Sequence, residues 1–149
     1  MIKLILSCVA VALFTTPMVA DSEVKLDGVK CVVAPRAAKA TKSAEYKKGK
    51  VYFCCGNCES KFKKDSKKFA EKANAQLVST KQYEQKGCPF SGGDVDPDTK
   101  VKVGGTEVAF CCGNCKSKVE KADDKTKMKL VFSDKAFDKA FTVAKKKKD

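Results

Sequence analysis

The sequence contains no histidine and no tryptophan. Without an imidazole there is no Ser-His-Asp or Cys-His catalytic unit, no Cys2His2 finger and no CxxCH haem attachment. Aromatics are scarce, with nine Phe and three Tyr in 149 residues, which is thin for a large core. One ordinary domain or two small ones fit that length. Acidic residues are the minority, 18 against 31 Lys+Arg, for a net charge of +13. No paired carboxylates and no phosphate-cradling glycine loop occur, so nothing supports catalysis and the chain is expected not to be an enzyme. Asp94, Asp96 and Asp98 alternate in GGDVDPDTK, but the central Gly and twelfth-position Glu of an EF-hand are missing. A turn stabilised by Asp and Pro97 is the expectation there.

Long apolar runs are also lacking, with one exception. Met1–Ala20 carries a single charge at Lys3, an apolar run from Leu4 to Phe14, and small or apolar residues ending at Ala20 before Asp21. This is the pattern of a secretory signal peptide cleaved near Ala20, with a signal-anchor as the alternative. The run falls short of the roughly 20 residues that a membrane span needs. The expected product is exported, periplasmic or secreted. Cleavage would remove Lys3 and Cys8, leaving eight of the nine cysteines and one positive charge fewer than +13. Lysines spread over Lys61–Lys72 and Lys116–Lys129, and the tail Lys145–Lys148, read as solvated helical faces. They suit an anionic envelope surface or a nearby cluster of thiolates. Nucleic acid is not an expected partner, since the chain is expected to be exported and no aromatic stacking surface is evident. No protein partner can be named.

What the sequence does have is a duplicated cysteine frame. Cys31, Cys54, Cys55 and Cys58 recur 57 residues later as Cys88, Cys111, Cys112 and Cys115. Around them Val51–Lys61 (VYFCCGNCESK) faces Val108–Lys118 (VAFCCGNCKSK), identical at nine of eleven positions. Gln76-Leu-Val-Ser79 similarly faces Lys129-Leu-Val-Phe132. This is an internal duplication.

Each copy predicts the same local structure. A lone Cys precedes a hairpin, with strands Val101–Val103 and Thr106–Phe110 about a Gly104-Gly105 turn in the second copy. In the first copy the strands are Glu45–Lys47 and Lys50–Phe53, about a turn at Lys48-Gly49. A helix follows Cys58, with Phe62, Phe69 and Ala73 on one face and Asp65-Ser66 as a break between two helices. Counting Val32, Val33, Tyr46, Val51, Phe53, Phe62, Phe69, Leu77 and Val78, the first copy offers few core side chains. Units of about 55 residues with such cores usually need disulfides or a metal.

Both copies read C-x22-C-x3-C, with an extra Cys after the second. Thiolates suit Zn²⁺ or Cu(I), and four per copy allow a tetrahedral site holding one ion. Neighbouring residues on a strand point to opposite faces, so Cys54 and Cys55 can both bind one ion only if the strand has already turned. The same holds for Cys111 and Cys112. All eight are therefore candidate metal ligands. Structural disulfides are the competing use in an exported protein, although the adjacent pairs suit no ordinary pairing geometry. Thiol-disulfide chemistry at Cys55-Gly-Asn-Cys58 and its twin, a CxxC ahead of a helix, is a third.

The run Tyr46–Lys64, YKKGKVYFCCGNCESKFKK, resembles the YHS domain, in which a Tyr-Lys-Gly-Lys hairpin leads into Phe-Cys-x3-Cys and a Lys-Phe helix. The frame C-x22-C-x3-C is similar to that of the related TRASH domain, associated with trafficking, resistance and sensing of heavy metals. The resemblance covers residues 29–72 and 87–122 and implies a treble-clef-like fold. It implies Cys31, Cys54 and Cys58, then Cys88, Cys111 and Cys115, as ligands, with Cys55 and Cys112 at a variable position. The first cysteines run on as Cys31-Val-Val and Cys88-Pro-Phe rather than the Cys-Gly-Met usual in YHS domains, so the frame is what is shared.

The expected architecture is α+β: a signal peptide over 1–20, treble-clef-like modules over 21–80 and 81–144, each a hairpin plus helix around a cysteine cluster, and a basic tail over 145–149. The expected function is binding of soft heavy-metal ions, Zn or Cu, for structure, buffering or handover. The alternatives are a disulfide-stapled secreted interaction protein and a CxxC thiol oxidoreductase.

Overall fold

Alternation of apolar and polar residues about a two-residue turn builds the hairpin that opens each copy. The computed structural model describes residues 24–145; the expected signal peptide and residues 146–149 of the tail lie outside the described residues. In the first copy β1 (Lys39–Tyr46) pairs antiparallel with β2 (Gly49–Phe53), Tyr46 facing Gly49. The turn is thus Lys47-Lys48, one residue earlier than the glycine suggests. Lys47 takes a φ of 53°, and Gly49 opens β2 for a different reason. A Cβ there would stand 2.8 Å from both Leu77 Cδ2 and Gln82 Oε1. Close approach, and not backbone angle, calls for that glycine.

The helices follow from the cysteine segment onward. α1 (Gly56–Lys64) ends at Asp65, a 3-10 turn spans Lys67–Phe69, and α2 (Ala70–Ser79) continues, so the expected break at Asp65-Ser66 is present. A short strand β3 (Tyr83–Gln85) leads into the second copy. There β4 (Asp96–Val103) pairs with β5 (Thr106–Phe110) about Gly104 and Gly105, both at positive φ (59° and 87°), as a tight primed turn requires. The register of both hairpins is interrupted near the start of the first strand, between Lys39 and Ser43 and between Asp96 and Val101. Asp96, Pro97 and Asp98 open β4 where a turn is expected from the sequence, and Asp96 accepts from the Asp98 N–H at 2.9 Å within that irregular start of the strand. Then come α3 (Gly113–Glu120), α4 (Asp124–Phe132), capped by Asp123 accepting from the Thr126 N–H, α5 (Asp134–Ala140) and β6 (Phe141–Val143). The fold is α+β: two small modules, each with a cysteine cluster beside a hairpin and a helix. No helix among the described residues is long and apolar enough to cross a membrane.

The sparse apolar residues of the two copies are pooled in one core. α2 packs on α4 and α5, and β3 pairs antiparallel with β6, Tyr83 facing Val143 and Gln85 facing Phe141. Phe53 and Phe62 from the first copy, and Phe110, Val119, Phe132, Phe137 and Phe141 from the second, belong to one continuous buried cluster. The Phe137 ring lies 5.0 Å from Tyr83 and 5.1 Å from Phe141 by centroid. Lys47, in the turn of the first hairpin, stands 5.3 Å above it and pairs with Asp134 and Asp138 on α5. Phe137→Ala is therefore expected to cost about 3–5 kcal/mol, as large-to-small changes in buried aromatics do. Because the core is shared, chemical denaturation should move both copies in one transition; two separate transitions would show independent cores.

Candidate metal centre

Each cluster is assembled from three pieces of chain: a loop, the end of a hairpin and the first turn of a helix. Cys31 sits in a loop closed by its N–H on Arg36 O at 2.8 Å and by a bridge between Lys30 and Ala37. Cys54 follows the last residue of β2, and Cys58 lies in the first turn of α1. Their sulfurs all fall within 4.8 Å of one another. The second copy repeats this with Cys88, whose N–H donates to Gly93 O at 2.9 Å, Cys111 after β5, and Cys115 in α3. All eight cysteines among the described residues are free.

The distances fit a soft cation. Four sulfurs at a Zn–S bond length of about 2.3 Å in a tetrahedron are separated by about 3.8 Å. Cys54 and Cys58 are 3.7 Å apart, as are Cys111 and Cys115. The donors are sulfur alone, which suits Zn²⁺ or Cu(I) and not Mg²⁺ or Ca²⁺. Each trio could hold a metal ion.

Cys55 and Cys112 are placed differently. β2 ends at Phe53 and β5 at Phe110, so the chain has turned before the adjacent pair and both sulfurs reach the same side. Cys55 Sγ is 3.8 Å from Cys54 Sγ, and Cys112 Sγ is 3.9 Å from Cys111 Sγ. Both residues occupy the helix N-cap in extended conformation (φ near −160°), and both are exposed. They adjoin the trios without belonging to the mutually close sets.

Electrostatics divides the thiols within each cluster. Burial alone would raise Cys88, but N–H groups of Ser91, Cys111 and Phe90 and the Ser91 hydroxyl outweigh it and bring the thiol down to about 7. Cys31 is likewise lowered against its burial by N–H groups of Cys54, Val33 and Ala34. Cys58 is pushed up to about 12 by burial first, then by hydrogen bonds with Cys55 and Cys54 and by the charge on Cys31. Cys115 rises to about 12 by burial and by its bonds with Cys111 and Cys112. Cys55 and Cys112 are lowered, chiefly by N–H groups at the helix starts, those of Cys58 and Cys115. Each cluster thus holds a thiol lowered from its ordinary value beside one that resists ionising, the combination that a bound cation relieves.

Two residues that sequence reasoning passed over hold these pieces together. Gln76 Oε1 accepts from the Tyr52 N–H at 2.6 Å, while its Nε2 donates to Tyr52 O at 3.0 Å and to Lys30 O at 2.9 Å. Gln85 does the same one copy later: Oε1 accepts from the Ala109 N–H at 2.9 Å, and Nε2 donates to Ala109 O at 2.7 Å and Gly87 O at 2.9 Å. Tyr52 and Ala109 are equivalent in the 57-residue repeat, as are Lys30 and Gly87. Each glutamine therefore ties the residue before the lone Cys to the strand that delivers the second Cys. The glutamines themselves are not 57 residues apart, so the repeat could not reveal them.

Comparison with family models, with curated proteins and with solved structures gave no match for this chain.

Proposed function

We propose that this is an exported, non-enzymatic TRASH/YHS-like protein that binds one soft ion, Zn²⁺ or Cu(I), in each copy, for buffering or handover. The observation that carries the reading is the twice-built trio of sulfurs, each within 4.8 Å and each drawn from loop, hairpin end and helix. Three separate chain segments meet there with no donor type other than thiol, and the frame that places them is the one that resembles the heavy-metal-binding domains. Export rests on the apolar Leu4–Phe14 run and the small residues before Asp21.

Anaerobic titration of the reduced mature chain is expected to end at about two Zn²⁺ per molecule, one per four-cysteine site. Replacing Cys31 and Cys88 together by Ser should abolish tight binding, since each is the only ligand supplied by its loop. Reduced protein that binds no metal by mass spectrometry would refute the reading. Stability that survives metal removal only in the oxidised form would favour disulfides.

A further inference from the structure

The adjacent cysteines form a pattern that three-sulfur binding does not use. Cys55 and Cys112 hold the N-cap, a position where Ser, Thr, Asp or Asn is usual. Their sulfurs are exposed, yet each lies within 4 Å of a trio member, at 3.8 and 3.9 Å. Three thiolates leave one corner of a tetrahedral ion open. In both copies an exposed thiol adjoins the trio, while Cys31 and Cys88 are buried.

Resting on the metal-binding reading above, we propose that Cys55 and Cys112 are labile fourth ligands: each closes the ion held by its trio and is the thiolate displaced when a thiol-bearing acceptor takes the ion. In that step the acceptor's thiolate donates a lone pair to the ion and forms a new metal–sulfur bond. The bond to Cys55 or Cys112 breaks, and that sulfur leaves with its electron pair and takes a proton from water. Nothing is oxidised or reduced. The buried trio keeps the ion until the acceptor supplies further sulfurs. The arrangement separates retention, which belongs to the three converging segments, from release, which belongs to one exposed side chain.

The test uses Co²⁺ as a spectroscopic stand-in for Zn²⁺ in the reduced, full mature chain, comparing wild type, Cys55→Ser/Cys112→Ser and Cys54→Ser/Cys111→Ser. For the Cys55/Cys112 variant, binding of two ions should persist, with the sulfur-to-cobalt charge-transfer intensity per ion lowered by about a quarter, one thiolate in four. Its affinity should fall by about 10–100-fold, the scale of losing a supporting group and not the site. Transfer to dimercaptosuccinate should be faster than in wild type, because the corner no longer has to be vacated. The Cys54/Cys111 variant should lose tight binding. Unchanged intensity and transfer rate in the Cys55/Cys112 variant would make those thiols bystanders and overturn the proposal. Loss of all binding in that variant would make them core ligands and overturn it equally. Wild-type protein that binds no Co²⁺ or Zn²⁺ at all would fail the underlying metal reading instead.

Discussion

Reduced, metal-free protein is expected to keep much of its helical circular dichroism yet melt far below the Zn²⁺-loaded form. Considered copy by copy, the sequence supports a stronger expectation: about nine apolar side chains cannot offset the ordering of about 55 residues, at roughly 1–2 kcal/mol each for backbone alone. The continuous cluster that joins Phe53 and Phe62 to Phe110, Phe132, Phe137 and Phe141 changes the balance, because both copies fold around one interior. What the ion adds is the closure of each loop–hairpin–helix junction. Structural Zn²⁺ contributes about 10–16 kcal/mol in zinc-finger peptides, which bounds the effect per site from above. Identical melting midpoints with and without Zn²⁺ in the reduced protein would show that the ions do not support the fold.

Above an ordinary thiol pKa the two forms should respond to pH in opposite directions. Cys58 and Cys115 are pushed up to about 12, above an ordinary thiol, so in the metal-free chain folding favours their protonated forms. That contribution is fully present below an unfolded thiol pKa of about 8.5 and is lost as pH rises through the folded value. Metal binding must remove those same protons, so apparent affinity should rise with pH. The slope is about one tenfold step per unit for every proton released. Cys88, at about 7, adds a further proton below neutrality. Acidification from pH 7 to 5 should thus release Zn²⁺ while leaving the metal-free fold largely intact. A Zn²⁺ affinity flat across that range would exclude thiols that must deprotonate to bind.

The parts legible in the sequence are those set by local chemistry. Gly104-Gly105 announced its turn because both positions need positive φ, and Asp65-Ser66 its break because both residues favour caps. The 57-residue spacing announced the duplication, and the resemblance of the C-x22-C-x3-C frame to heavy-metal-binding domains implied the two trios that lie together. Gly49 misled, since its absent side chain serves the approach of Leu77 and Gln82, which lie about 30 residues away. The pooled core, the β3–β6 ladder and the stacking of α2 on α4 were not legible, because contacts between copies leave no periodicity within either one. Whether Cys54 and Cys55 could share a site turned on where β2 stops, a boundary of one residue that pattern does not resolve.

Substitution of the two glutamines is expected to disable the sites one at a time. Gln76→Leu keeps the approximate size of a buried side chain but withdraws three hydrogen bonds, two from the Tyr52 backbone and one from Lys30 O. At about 0.5–1.5 kcal/mol net each, with more wherever a buried group finds no replacement, the loss comes to roughly 2–4 kcal/mol. Gln85→Leu withdraws the matching three from Ala109 and Gly87. Global stability should fall in either variant, because the core is common. Metal binding should separate them: Gln76→Leu frees the Cys31 loop from β2 and should weaken the first site, whereas Gln85→Leu frees the Cys88 loop from β5 and should weaken the second. Supporting groups of this kind typically move metal affinity by about 10–100-fold. Zn²⁺ titration of each variant combined with the Cys-to-Ser change at the opposite lone cysteine isolates the affected site. Gln76→Glu offers a control, since the carboxylate still accepts from the Tyr52 N–H but can no longer donate to Lys30 O. If Gln76→Leu lowered both sites equally, the glutamine would act through overall stability, and its tie to the Cys31 loop would not position the ligand.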